Sequence, residues 1–387
     1  MKCIHCGTDS KLRERKDKRC PKCRHAFAFE PVSDALRVTD AQFKRAIERV
    51  SGDGKVRFTE RNLWYEFNRR WMKPGFWRSP YGALPVAGAS PALLAALGIL
   101  KVAVLPLALV GVVVGLGAGA VLNSLANGRE PRPPRPPRIL FDTFHWQYVQ
   151  RWIAVHGDID GLLPDREAAL PHLPRTVPAD VAAFSFDRVV VTDRWETAAM
   201  LVANRFHFEH NCAVLSRDGY PEGTADTVKE MLRRNPRLTV FALHDASPGG
   251  CLLPLMLREP EWFPDPGARI VDLGLRPGTA RRQRVPGRAG AAVQLPPRLA
   301  EILPAEDVAW LAQGHTAELA ALRPAQVLRA AYQGIVAAGP NDGSGGSSGG
   351  SGGGSDGGDV YHGDGVIWVG DVHGHGHADT ASVDGFG

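Results

Sequence analysis

The chain has 387 residues, a formal net charge of +5, and 44% hydrophobic and 22% charged side chains. Those proportions exclude global disorder, and the length suggests roughly two or three domains. The charge is unevenly spread. Residues 340–387 hold seven Asp and no Lys, Arg or Glu, which leaves +12 on residues 1–339. A basic body suits an anionic partner such as nucleic acid or a lipid headgroup. The first residues are polar and cysteine-rich where a signal peptide needs an apolar run, so the six cysteines are expected in a reducing cytosol.

Residues 1–30 carry Cys3-x2-Cys6 and Cys20-x2-Cys23 with thirteen residues between the pairs. Each turn presents two thiolates, and the spacing predicts a zinc ribbon holding Zn²⁺ tetrahedrally. With sulfur in all four positions the site is closed and structural. Lys22, Arg24 and His25 add positive charge that favours thiolates. The head reads as a folding unit or protein-docking knob, or as a nucleic-acid contact through Lys11, Arg13, Arg15, Lys16, Lys18 and Arg19.

Residues 35–72 read as helix, short strand, helix. Phe43, Ala46, Ile47 and Val50 follow the capping signal Thr39-Asp40 at helical spacing. Residues 51–54 form a turn, residues 55–58 a short strand, and Thr59 caps a second helix. On that helix Leu63, Trp64, Phe67 and Trp71 fall within about 100° of arc. Tyr65 lies roughly opposite, one turn from Arg61 and from Arg69, either to meet a phosphate or as an ordinary exposed tyrosine.

Residues 83–125 are almost wholly apolar. Residues 102–122 give 21 uncharged positions and residues 83–100 give 18, with Lys101 between them. Spanning takes about 20. The reading is a transmembrane hairpin turning at Lys101, or one span preceded by an interfacial stretch, or a buried core hairpin. Arg69, Arg70, Lys73 and Arg78 precede it and Arg129, Arg132, Arg135 and Arg138 follow it. Both basic flanks favour the cytoplasm, which requires an even number of crossings. Residues 129–138 are a Pro/Arg spacer.

Residues 139–338 read as a mixed α/β domain. Strands are expected at 187–192, 212–216, 238–243 and 269–273, with helices over 196–206 and 224–234. That alternation implies a largely parallel sheet flanked by helices, with ligands at the carboxyl ends of its strands. Those ends hold Asp193, Arg217-Asp218-Gly219 and His244-Asp245-Ala246-Ser247. The Gly-rich tail, residues 340–387, is expected to be disordered, with a loose histidine cluster and one apolar patch at 365–370.

The runs Gly219-Tyr220-Pro221-Glu222-Gly223-Thr224, Leu243-His244-Asp245-Ala246-Ser247-Pro248-Gly249-Gly250 and Leu273-Gly274-Leu275-Arg276-Pro277 resemble the Toprim domain of the topoisomerase VI A subunit and its meiotic double-strand-break relatives. The likeness covers roughly residues 185–280. That family also carries an upstream winged-helix domain with a nucleophilic tyrosine, and Thr59-Glu60-Arg61-Asn62-Leu63-Trp64-Tyr65 is similar, placing Tyr65 at the nucleophile's position within a winged-helix-like segment, 35–75. The resemblance implies Mg²⁺ held at Asp193, Asp245 and Ser247; Arg61 and Arg69 beside Tyr65, and Arg217 at its strand end, are the candidate nucleic-acid contacts. The metal set departs from the family pattern. Asp193 is one methylene shorter than the expected Glu, for which Glu196 is a substitute, and Ser247 replaces the second acid of DxD. A hydroxyl is a poor ligand for Mg²⁺.

The expectation is therefore a cytoplasmic-membrane protein with both large parts in the cytosol. Its degenerate Toprim-like domain serves as a non-catalytic module for nucleic acid, for a protein partner or for homodimerisation. The alternatives are an Mg-dependent DNA-cleaving enzyme using Tyr65 with Asp193 and Asp245, and a membrane scaffold whose α/β domain is a relic.

Overall fold

Thr39 opens the first helix by a reciprocal cap. Its hydroxyl accepts from the Gln42 amide (3.3 Å), and the Gln42 side-chain oxygen accepts from the Thr39 amide (3.2 Å). In the computed structural model this helix, α1, spans Asp40–Ser51 and ends at Gly52, whose φ of 56° is left-handed. The structure describes residues 1–72, 137–164, 188–221, 238–260 and 269–339 except positions 33 and 35, together with Asp226, Val228 and Trp262. The hairpin expected at 83–125, most of the spacer, most of the helix expected over 224–234 and the tail lie outside these residues. Among the described residues no helix is long and apolar enough to cross a membrane.

Helix α2 (Glu60–Met72) begins in the same way, with Thr59 and Asn62 exchanging bonds of 3.0 and 3.3 Å. It is buried nearly all round, because Asn62 to Asn68 are every one buried. The expectation of an exposed Tyr65 is corrected, since that residue is 1% exposed. The cover comes from far along the chain. Asn62 Nδ2 donates to Ala320 O (3.1 Å), and Arg69 donates to Ala321 O (2.7 Å). Helical periodicity within residues 60–72 carries no information about that neighbour. Of the strand expected at 55–58, the structure keeps a single parallel bridge, Phe58 to Leu162.

Residues 137–164 pack on these two helices rather than on the sheet. A helical run of Phe141–Phe144, a wide turn His145–Val149 and helix α3 (Gln150–His156) lays Phe144, Tyr148 and Trp152 against Phe29, Phe43 and Phe67. Trp64 donates its indole N–H to Ile139 O (2.8 Å), and the Ile139 amide donates to Asn68 Oδ1 (3.3 Å).

The remainder is an α/β unit. Strands β1 (Arg188–Thr192), β2 (Cys212–Ser216), β3 (Thr239–Leu243) and β4 (Arg269–Asp272) make one parallel sheet in the order β2-β1-β3-β4. Their largely apolar runs suit strands covered on both faces. Helix α4 (Trp195–Ala203) follows β1, and a single turn α5 (Pro248–Cys251) follows β3. Strands β5 (Gly287–Ala289) and β6 (His315–Ala317) pair antiparallel, around helix α6 (Ala305–Ala312), and α7 (Pro324–Ala338) closes the described chain. One bridge matters for the site. Ala246 and Ala317 exchange backbone bonds of 2.8 and 3.0 Å, which brings the residues after β6 to the turn after β3.

Candidate functional site

The four N-terminal cysteines form one cluster. Bridges Lys2–Asp9 and Arg19–Ala26 close two short hairpins, each carrying one CxxC turn. Cys3 and Cys23 sulfurs lie 3.7 Å apart and those of Cys6 and Cys20 3.6 Å apart, with all four within 4.8 Å of one another. Such a set can hold a tetrahedral metal ion. Behind it Phe27 packs on Cys3 and Cys20, and Arg15 reaches Glu30 at 2.8 Å in a buried pair.

At the carboxyl end of the sheet, β1 delivers Asp193 and β3 delivers Asp245. Asp193 Oδ2 accepts the Asp245 amide (3.1 Å), and Asp193 Oδ1 is buried with no partner. Asp245 is fully engaged. Its Oδ2 accepts from Arg194 Nε (2.6 Å) and its Oδ1 from the Leu319 amide (2.7 Å). Burial raises both acids, and with Asp193 alongside, Asp245 is pushed up to about 8 against the pull of Arg194. Ser247 spends its hydroxyl oxygen as the cap of α5, accepting from the Gly250 amide at 3.0 Å.

Beneath the acids lies a buried histidine. His244 Nδ1 faces Asp245 O (2.8 Å) and Nε2 faces Asp272 Oδ1 (3.1 Å), so both ring nitrogens meet acceptors. Burial alone would lower this histidine, but Asp272 carries it upward; burial would raise Asp272, but His244 and then Arg276 hold it well below the usual carboxylate range. With both ring nitrogens engaged, neither is free to act as a general base.

The same place receives α2. Glu318, 3% exposed, accepts from Arg61 (3.3 Å), Arg194 (3.4 Å) and Arg288 (3.4 Å). Tyr65 is buried beside this group with its hydroxyl unpartnered, and burial, then Glu318 and Asp245, raise it well above 10. The structure therefore brings Tyr65, Arg61, Asp193 and Asp245 together. It turns Arg69 inward to Glu66 (3.0 Å) and Ala321. Arg217 stands at the end of β2, partly exposed, with its guanidinium 3.4 Å from Gly249 O.

No family model, curated protein or solved structure matches this chain.

Sequence reasoning passed over Arg194, Glu318 and Arg288. Arg194 adjoins Asp193 and was open to notice; Glu318 lies outside every motif, and only the Ala246–Ala317 bridge brings it in. These residues decide the metal question. Mg²⁺ usually takes one or two carboxylates and keeps several waters. Here one buried carboxylate oxygen, Asp193 Oδ1, is free, while Asp245 is held by a guanidinium and an amide and Ser247 by its cap. Among the described residues only the four cysteines gather three or more ligand atoms. The set Asp193, Asp245 and Ser247 does not fit Mg²⁺ as arranged.

Proposed function

We propose that this is a membrane-anchored zinc-ribbon protein whose degenerate Toprim-like domain binds nucleic acid without cutting it. The observation that carries the reading is Arg194 on Asp245. The guanidinium supplies, as a fixed part of the chain, the positive charge that a divalent ion would bring, and it bridges on to Glu318. A site completed in this way favours retention of the fold for binding over phosphodiester chemistry.

The other parts follow from chemistry already described. A four-thiolate set within a small, polar head is the usual Zn²⁺ structural site, and the ion would fold the ribbon rather than activate water. Residues 83–125 would anchor the chain as a two-span hairpin in the cytoplasmic membrane, with both large parts in the cytosol. The +12 charge of residues 1–339 and partly exposed Arg217 suit a phosphate backbone.

One observation favours the cleavage reading: α2 sets Tyr65 beside Asp245 with an unpartnered hydroxyl. The test separates the two. Full-length protein in nanodiscs is titrated with labelled duplex and single-stranded DNA at rising salt, then incubated with supercoiled plasmid and Mg²⁺. The expected result is salt-weakened binding, intact plasmid and no covalent adduct. Strand breakage lost in Tyr65→Phe establishes the enzyme instead, and salt-independent or absent binding leaves the nucleic-acid reading without support.

A further inference from the structure

The 64 residues between Met72 and Pro137 leave the described structure and return to it at one spot. Helix α2 ends at Met72, and the chain resumes so that Ile139 bonds through both its amide and its carbonyl to Asn68 and Trp64, within the last turns of that helix. All three residues are buried, so the spot is fixed. The intervening sequence holds uncharged runs of 18 and 21 residues. On the anchoring reading, a segment that starts and finishes at one point on a folded body would cross an even number of times.

Two of the exposed large hydrophobic side chains among the described residues stand beside that spot. Leu140 is 73% exposed and Trp146 69% exposed, six residues apart. Trp146 is held edge-on to His145, with ring centres 4.7 Å apart, and His145 is fixed by Glu60 at 2.9 Å. Arg138 and Arg151, both exposed, outweigh the one exposed acid of residues 138–151, Asp142. Gln147 and Gln150 complete the exposed positions. An indole and a leucine among amides and arginines is the composition that settles at a lipid–water boundary. Tryptophan favours the headgroup layer, and arginine stems lie along apolar surface with their charge in water.

We propose that the face carrying Leu140 and Trp146 rests in the headgroup layer of the bilayer, so that the site described above is held at a fixed height over the membrane. The proposal rests on the anchoring reading of residues 83–125 and adds to it a defined contact face. Lipid is the occupant because the face is continuous with the points where the apolar segment leaves and rejoins the body.

The test uses the full chain reconstituted in vesicles of phosphatidylcholine and phosphatidylglycerol in equal parts, with bromine placed on the acyl chains either just below the headgroups or near the bilayer centre. Flotation and resistance to alkaline extraction report anchoring by themselves. Tryptophan emission of the wild type is compared with Trp146→Phe and with Trp310→Phe, which lies in α6 of the other unit. The expected result is a difference spectrum for Trp146 that is blue-shifted and quenched more by shallow than by deep bromine, with no quenchable emission lost in Trp310→Phe. Protein that floats while Trp146 emission is unquenched overturns the contact face and leaves the anchor standing; a blue-shifted but unquenched Trp146 assigns the face to a second protein copy, which also overturns it. Protein that neither floats nor resists extraction overturns both.

Discussion

Arg194 Nε lies 2.6 Å from Asp245 Oδ2, with Arg194 35% exposed at its side chain and Asp245 1%. A strand-end carboxylate of a metal-dependent site needs a free oxygen facing solvent. This one faces a guanidinium and, through its other oxygen, the Leu319 amide. The pair joins the ends of β1 and β3, and the Leu319 amide ties Asp245 to the segment after β6.

Stability should depend on pH through Asp245. Its folded pKa, about 8, is raised above the ordinary value of about 3.9. The stability it contributes is therefore fully present below about pH 4 and lost as pH rises through about 8. Asp272 works in the opposite sense, because its depressed pKa adds stability above the ordinary carboxylate value that is lost only in strong acid. The thermal stability of the wild type should fall between about pH 4 and 8 and level off above that, and Asp245→Asn should flatten the fall. An equally steep fall in the variant contradicts the assignment.

Tyr65→Phe removes a buried hydroxyl that has no partner. Leaving such a group unpaired costs about 1 to 3 kcal/mol, so the variant should be as stable as the wild type or more stable by about 1 kcal/mol. DNA affinity should not change. Denaturant titration and anisotropy measure both; a loss of 2 kcal/mol or more points to a hydroxyl partner in the native protein.

Two glycines keep the strand ends close. A Cβ on Gly274 would sit inside the His244 ring, which is 1% exposed and held at both nitrogens. On Gly250 it would press on Asp245 O and lie 2.9 Å from Asp193 Oδ2. Overpacking of this kind costs about 1 to 3 kcal/mol. Gly274→Ala should reach the top of that range or exceed it, and Gly250→Ala should fall within it. Near-neutral values for both in chemical denaturation would mean that the turns after β3 and β4 yield more than the structure allows.

The ribbon should carry one Zn²⁺ per chain, lost in Cys20→Ser. Elemental analysis of the full-length protein measures this, and limited proteolysis should then open residues 1–30 while the sheet stays protected. A wild type with no bound metal, or a Cys20→Ser chain that retains a full equivalent, contradicts the site.

Much of the fold was legible in the residues. The apolar runs of 188–192, 212–216 and 239–243 gave their strands away, because strands covered on both faces need no alternation. Thr39 and Thr59 announced their helices by side-chain chemistry that acts within three residues. What the sequence hid was contact between distant segments. Tyr65 looked free because its cover, residues 318–322, lies far along the chain, and the closure of the Asp245 site depends on Glu318 and on a backbone bridge between Ala246 and Ala317. The cysteine cluster was readable for the opposite reason, since its ligands sit in two local turns.

The most direct test of the central claim is calorimetric titration of the full-length protein with Mg²⁺ and Mn²⁺, beside Arg194→Ala and Asp193→Asn. With Arg194 holding Asp245, the wild type should give no saturable binding at millimolar ion, whereas Arg194→Ala, which frees a carboxylate oxygen beside Asp193, should gain it. Saturable wild-type binding that disappears in Asp193→Asn would contradict the account and return the site to metal-dependent chemistry.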